Sequence, residues 1–460
     1  MISITPNFQR LIATSTVSFL AFYYASSVTG DPLDLSQQFI NNRDAITSTM
    51  NSQADSLANN SITPFQISIS DEDLEDLQLR LSLTRLPDQL NNISWEYGTD
   101  LNYMRELIGY WQDGFDWREQ ERQLNQFDQF KTVVDDLNMH FIHQRSSNPD
   151  AIPLMVVHGW PGSVSEFSKI IGPLTDPLAY GGDISDSFHV IAPSLPGFGF
   201  SGIPDETGYS PERIALLLAE LMEKIGYERY AIAGGDWGAI INRHLANHYP
   251  DRLIGLHSNM MLAGPPSDTE QRANVTEEEN EARTSRQDYM QNEVAYQQIQ
   301  GTKPQTLGYG LNDSPAGVAA WIVEKFHGWT DMPQGADGYL DNHFTKDELL
   351  TNIMIYITTR TFNSASWIYY GRREEGGRIL SPEGHRVEVP TGCAVFPAEM
   401  LNWPPRSYVE RIYNVQHWTE MPRGGHFAAM EEPQLLLEDI RKFLRSLRRG
   451  NSSSNSNNTT

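Results

Sequence analysis

The apolar positions of this chain fall into short runs separated by turn-forming residues. Residues 155–157, 188–191, 230–233 and 394–396 are such runs, each bounded by Gly or Pro. Continuous short apolar segments of this kind predict strands buried on both faces, as in a parallel sheet. Between them the spacing turns helical. Ile214, Leu217, Leu218 and Leu221 share one side of a helix predicted over 211–225, with Ser210 as its N-cap. A second amphipathic helix is predicted over 431–447. Alternating strands and helices predict an α/β fold with a mostly parallel central sheet and crossover helices. The stretch 263–295 breaks the pattern, being charged and rich in Gln and Asn. From about 300 to 370 the signal is helical and aromatic, with Trp321, Phe326, Trp329 and Trp367. An insertion over 263–372, packed on the sheet as a helical cap, accounts for both, and a cap is a natural place to hold a lipophilic ligand.

The ends of the chain differ from its middle. Arg10 precedes an apolar run at 11–25 that carries several hydroxyl side chains and ends in small residues near Ala25. It is short and polar for a membrane span, which wants about 20 apolar residues. Residues 1–27 therefore read as a signal peptide, with an uncleaved membrane anchor as the alternative, and the expected destination is the secretory pathway or the endoplasmic reticulum membrane. Residues 28–64 read as a polar linker and 449–460 as a disordered low-complexity tail. Sequons at Asn59, Asn92, Asn274 and Asn312 suit a glycoprotein on that route. With a single cysteine, Cys393, no intrachain disulfide can form. The formal charge of -25 argues against nucleic acid as a partner. Nothing in the chain sets an oligomeric state, a dimer included.

The chemistry concentrates at turns that follow the strands. Residues 234–238 read Gly-Gly-Asp-Trp-Gly between a buried strand and a helix, the form of a nucleophile elbow. Its apex is Asp236. A carboxylate, with an unperturbed pKa of about 3.9, is an anion at neutral pH and attacks a saturated carbon without a base. The product is an ester of the enzyme, which water must cleave. An ordinary helix N-cap would explain the Asp but not the flanking glycines. The turn at 158–162, His-Gly-Trp-Pro-Gly, suits half of an oxyanion hole through the Trp160 N–H, with the Trp237 N–H as the other half. His158, Trp160, Trp237 and Phe198 are the candidate substrate contacts. His426, in a glycine loop before the last helix, stands where a hydrolase histidine follows nucleophile and acid. Glu399 is the favoured acid, with Glu410 and Glu420 as competitors. Two patterns lack their context. Residues 197–202 match a dinucleotide fingerprint by letter, but prolines bracket them and no helix is predicted after them. His244 and His248 stand four apart on a predicted helix, without the glutamate of a zinc motif and without an evident third ligand, and read as a helix-surface pair. No metal and no organic cofactor is expected.

Taken together, HGWPG at 158–162, LPGFGFS at 195–201, GGDWG at 234–238, IQGTKPQT at 299–306, LNDSPAG at 311–317, VEKF at 323–326, PTGCAVFPAE at 390–399 and RGGHFAAMEEP at 423–433 resemble the microsomal-type epoxide hydrolases. The resemblance spans about 65–448. It implies the α/β-hydrolase fold, with an N-terminal meander and first strands over 65–145, core over 146–262 and 373–448, and the cap over 263–372 between them. It also implies two cap tyrosines that donate to the epoxide oxygen. These correspond to Tyr296 and to Tyr369, with Tyr370 as an adjacent rival. The implied reaction converts a lipophilic epoxide and water to a vicinal diol through an ester on Asp236. A haloalkane dehalogenase shares the Asp elbow and is the alternative; a non-catalytic hydrolase-like binding protein is more remote, because nucleophile, acid and histidine are all present.

Overall fold

The computed structural model describes residues 61–264, 276–332, 340–376 and 386–454. The expected signal segment, nearly all of the linker and the last six residues lie outside them. Among the described residues no helix is long and apolar enough to cross a membrane.

Among the described residues nine strands form one sheet: β1 (Thr63–Phe65), β2 (Gln129–Val134), β3 (Leu137–Gln144), β4 (Ile152–Val157), β5 (Phe188–Pro193), β6 (Tyr230–Gly234), β7 (Leu253–Ser258), β8 (Val387–Val395) and β9 (Tyr413–Glu420). Their order is β1-β2-β3-β5-β4-β6-β7-β8-β9. The pairs β1–β2, β2–β3 and β3–β5 are antiparallel; every pair from β5 through β4 to β9 is parallel. Each of the four predicted runs lies within the parallel part or at its margin. The last four residues of β4 are fully buried, as are the first four of β6, because helices cover both faces there.

The helix Pro211–Lys224 is where its spacing put it. The Ser210 hydroxyl accepts from the Arg213 N–H at 3.2 Å, and Ile214, Leu217, Leu218 and Leu221 are buried. The final helix, Pro433–Ser454, starts two residues later than expected and takes in the first six residues of the expected tail. An established helix extends at little cost, since its nucleus is already formed. Between β7 and β8 the described residues carry helices: Glu277–Asn292, Ala295–Gln300, Pro304–Leu311, Pro315–Trp329, Lys346–Thr358, Phe362–Ala365 and Trp367–Glu374. Lys346–Thr358 opens with a capping box between Thr345 and Glu348. Ahead of β2 lie Asp71–Ser82, Leu101–Asp113 and Trp117–Leu124, whose buried Leu77, Leu81, Leu107 and Trp111 belong to the same apolar core as Phe326 and Ile353 between β7 and β8. The sheet and the inserted helices thus share one core.

Candidate active site

Asp236 follows β6 after the single residue Gly235 and opens the helix Asp236–His248. Its φ is +46°, in the left-handed region that a non-glycine residue occupies at a cost of order 1–3 kcal/mol. Close packing against β4 holds the turn. A Cβ on Gly238 would stand 2.0 Å from the Val157 carbonyl oxygen, so only glycine lets the new helix approach that strand. A Cβ on Gly159 would stand 2.1 Å from Asp236 Oδ1, so glycine there leaves the carboxylate its place.

Three other turns converge on this carboxylate from the same ends of the parallel strands, where α/β sheets gather their ligands. After β4, the Trp160 N–H donates to Asp236 Oδ1 at 2.8 Å. After β9, His426 brings Nε2 to 3.4 Å from Asp236 Oδ2. After β8, Glu399 places both carboxylate oxygens on His426 Nδ1, at 2.8 and 3.0 Å. Of the three acids weighed from sequence, only Glu399 is buried; Glu410 pairs with Arg406 at the surface and Glu420 is exposed. Burial opposes charge on the His426 imidazole, but Glu399 and Asp236 outweigh it and hold its pKa well above the usual histidine value.

The predicted tyrosines come from two separate helices of the insertion and meet here. Tyr296, on Ala295–Gln300, stacks on Trp160 with ring centroids 5.3 Å apart. Tyr369, on Trp367–Glu374, lies edge-on to Trp237 at 4.6 Å and to Trp160 at 5.8 Å. The two phenol rings are 5.9 Å apart. Tyr370 is 38% exposed, so of the adjacent pair it is Tyr369 that is buried against the site. Burial, and then the Asp236 charge, raise the Tyr296 pKa; burial, then Tyr296 and Asp236, raise that of Tyr369. Both phenols keep their protons at neutral pH. Of the two expected backbone donors, Trp160 is the one hydrogen-bonded to the carboxylate. His158 and Phe198 are also brought together, at 5.3 Å, but both nitrogens of His158 are engaged with backbone. Leu195 N–H donates to Nε2 and Nδ1 bonds the Gly159 carbonyl, while burial pushes the pKa down to about 4. The ring shapes the turn.

Several residues here escaped the reading of the sequence. Trp329, at the end of Pro315–Trp329, packs its ring 5.0 Å from His426 and accepts the His426 N–H at 2.9 Å. Glu431 accepts from the N–H groups of Gly425, Phe427 and Asp331 at 3.0, 2.9 and 3.1 Å, fixing the histidine loop; burial raises its carboxyl to about 7. Glu166 borders a cavity of about 30 Å³ together with Gly159, Trp160, Asp236, Asn259 and His426. Burial pushes the Glu166 carboxyl up to about 8, with His426 opposing and Asp236 assisting. The motif RGGHFAAMEE carries Glu431 openly, but its role needs the loop to be folded. Among the described residues, no group of His, Cys, Asp and Glu at this site gathers its ligand atoms as a metal would require. Elsewhere, Glu212 approaches His244 and His248.

An aspartate elbow, a histidine backed by a buried acid, and donors on both sides form an arrangement suited to a hydrolase of the α/β class. Comparison with known proteins narrows the class. Residues 62–167 match the family model described as the epoxide hydrolase N terminus, and residues 152–300 match that of the alpha/beta hydrolase fold. Epoxide hydrolase 1 of Sus scrofa is 40% identical over 84% of this chain and 88% of its own length. Juvenile hormone epoxide hydrolase 1 of Ctenocephalides felis is 36% identical over 83% and 85%. The crystal structure of juvenile hormone epoxide hydrolase from the silkworm Bombyx mori superimposes with a TM-score of 0.77, at 32% identity, over 85% of this chain and 95% of that one. The chain belongs to the epoxide hydrolase family, with the α/β-hydrolase fold expected of it, and its activity is the hydrolysis of epoxides. The dehalogenase alternative and the non-catalytic one fall away.

Proposed function

We propose that the enzyme opens lipophilic epoxides in two steps, with Asp236 as nucleophile. One Asp236 oxygen attacks a ring carbon, the C–O bond of the epoxide breaks, and the freed oxygen takes a proton from Tyr296 or Tyr369. Phenols suit this task because they are neutral donors that offset developing charge in a dry pocket. The observation that carries the reading is Asp236 itself, held at φ +46° between the Trp160 N–H and His426.

Esterification changes the histidine. Asp236 loses its charge, one of the two anions that raise the His426 pKa disappears, and the imidazolium passes its proton to the tyrosinate and becomes a neutral base. His426, oriented by Glu399, then takes a proton from water, and that water attacks the Asp236 carbonyl carbon. The oxyanion rests on the Trp160 and Trp237 N–H groups. As the diol leaves it takes the proton from His426, and the proton left on Asp236 returns to His426, restoring the carboxylate–imidazolium pair. The cavity of about 30 Å³ is of a size for one or two waters, and Glu166, neutral at pH 7, borders it as a donor.

The aromatic walls formed by Trp160, Tyr296, Trp329 and Tyr369 favour apolar substrates, and the relatives named for juvenile hormone make terpenoid epoxides the first to try. Residues 263–372 act as the cap that closes over them. The chain enters the secretory route through residues 11–25, either cleaved near Ser26 to Asp31 or retained as an anchor. N-terminal sequencing of protein secreted by a eukaryotic host distinguishes the two. A single turnover in 18O-water tests the chemistry: label should appear in the Asp236 carboxylate. Label going directly into the diol would overturn the covalent mechanism.

A further inference from the structure

His244 and His248 lie one turn apart on the helix Asp236–His248, and side chains four apart share a helix face. The sequence offers no third ligand, but the fold does. The neighbouring helix Pro211–Lys224 brings Glu212 to the same face. One ligand-type atom from each of Glu212, His244 and His248 lies within 4.8 Å of the other two. We propose that these three residues form a binding site for a divalent transition-metal ion of the zinc type.

Two further observations favour an ion over an ordinary surface cluster. The His248 Nε2 is hydrogen-bonded to Glu212 Oε1 at 2.7 Å, but the His244 Nε2 is buried with no hydrogen-bond partner. A buried polar atom left unpaired costs about 1–3 kcal/mol, and a metal bond would remove that cost. The donor set is also chemically apt. Two imidazoles and one carboxylate are a known zinc set, which leaves a fourth position for water. Tetrahedral bonds of about 2.0–2.1 Å separate ligand atoms by about 3.3 Å. The cluster therefore needs only side-chain rotation, opening the Glu212–His248 contact slightly and drawing His244 in. Arg372 is paired with Glu375 at 3.4 Å.

The position gives such an ion a consequence. The Glu212 N–H donates at 3.1 Å to Glu375, the residue that follows the helix Trp367–Glu374 bearing Tyr369. His244 stands on the helix that begins with Asp236. An ion here ties two core helices together at the point where the tyrosine-bearing helix docks, and so stiffens that seam. None of the three ligands touches the reacting atoms, so the proposal does not depend on the catalytic reading.

Equilibrium dialysis of the untagged full chain against Zn²⁺, after chelator treatment, tests it. The expected result is one saturable Zn²⁺ per chain, with a rise of a few degrees in Tm on binding. His248→Ala and His244→Ala should each weaken binding by at least about tenfold, and Glu212→Gln by less. If His244→Ala fails to fold, the part-exposed His248 and Glu212 carry the test, with circular dichroism as the folding control. Absence of saturable binding, or binding that survives both His248→Ala and Glu212→Gln, would overturn the proposal.

Discussion

Two carboxylate–histidine clusters sit on this sheet, and they use the same groups to opposite ends. In one, Glu399 gives both oxygens to a single histidine, leaving His426 Nε2 to face Asp236. In the other, Asp439 on the final helix splits its oxygens between two histidines, His257 of β7 at 2.9 Å and His417 of β9 at 2.7 Å. His257 even borders the cavity beside Asp236. Its Nε2, however, is committed to Asp439, and His417 Nε2 is shared with Thr419 as well. Burial works against the Asp439 charge, but the bonds from His257 and His417 prevail and hold its pKa well below the usual carboxylate range. Chemistry thus depends less on having a histidine beside an acid than on leaving one ring nitrogen pointed at a reacting partner. The second cluster pins helix to sheet.

The contrast is sharpest in variants that remove each histidine or its acid. Replacing His426 by Gln should slow ester hydrolysis by about 10⁴-fold or more while alkylation continues. Mass spectrometry should then find an adduct on the peptide containing Asp236; an unmodified peptide despite retained binding would remove His426 from the second step.

Glu399→Gln should slow the same step by about 10²–10⁴-fold, more than it slows alkylation, as seen in rapid-quench kinetics. A nearly normal Glu399→Gln, with a crippled Glu410→Gln or Glu420→Gln, would move the acid elsewhere.

In the proposed mechanism the tyrosines act on the opening of the epoxide. Tyr296→Phe and Tyr369→Phe should each raise the alkylation barrier by about 2–4 kcal/mol, and the double change should nearly abolish it. Tyr370→Phe should be close to silent. The reverse order for Tyr369 and Tyr370 would reassign the donor.

Asp439→Asn should act on stability and leave chemistry alone. Urea unfolding should show a loss of about 1–3 kcal/mol, with kcat of the folded fraction unchanged. A fall in kcat without loss of stability would make the second cluster catalytic.

The smallest effect is a difference of sign with pH. Asp439, depressed on folding, contributes stability that is present above the ordinary carboxylate range and lost as pH falls through its folded value. His426, raised on folding, contributes stability that is complete below its unfolded value of about 6.5 and lost as pH rises through its folded one. The stability gap between wild type and Asp439→Asn should therefore close on acidification, and that between wild type and His426→Gln on alkalinisation. Parallel trends in unfolding series would show that the two clusters are not electrostatic opposites.

How much of this was legible follows from how local each signal is. The elbow at Asp236, the turn carrying Trp160 and the cap of the helix at Ser210 depend on a few adjacent residues, and glycine, proline or a hydroxyl marks each. β1, β2, β3, β7 and β9 were not singled out. β9, with intermediate or exposed positions along most of its length, carries little apolar signal, and its place comes from pairing with β8. The nucleophile, the histidine and the preferred acid were read from chain order and motif, because a hydrolase strings them after successive strands. The sequence by itself thus determined the family and its activity, because the motifs that carry them each lie within a few adjacent residues. Tertiary structure alone decided which acid meets His426, which of two adjacent tyrosines faces the pocket, that Glu166 stands beside the nucleophile, and that Glu212 joins two histidines. In each case the partners lie on different elements, and burial, which sets their charge and reach, exists only after those elements have packed.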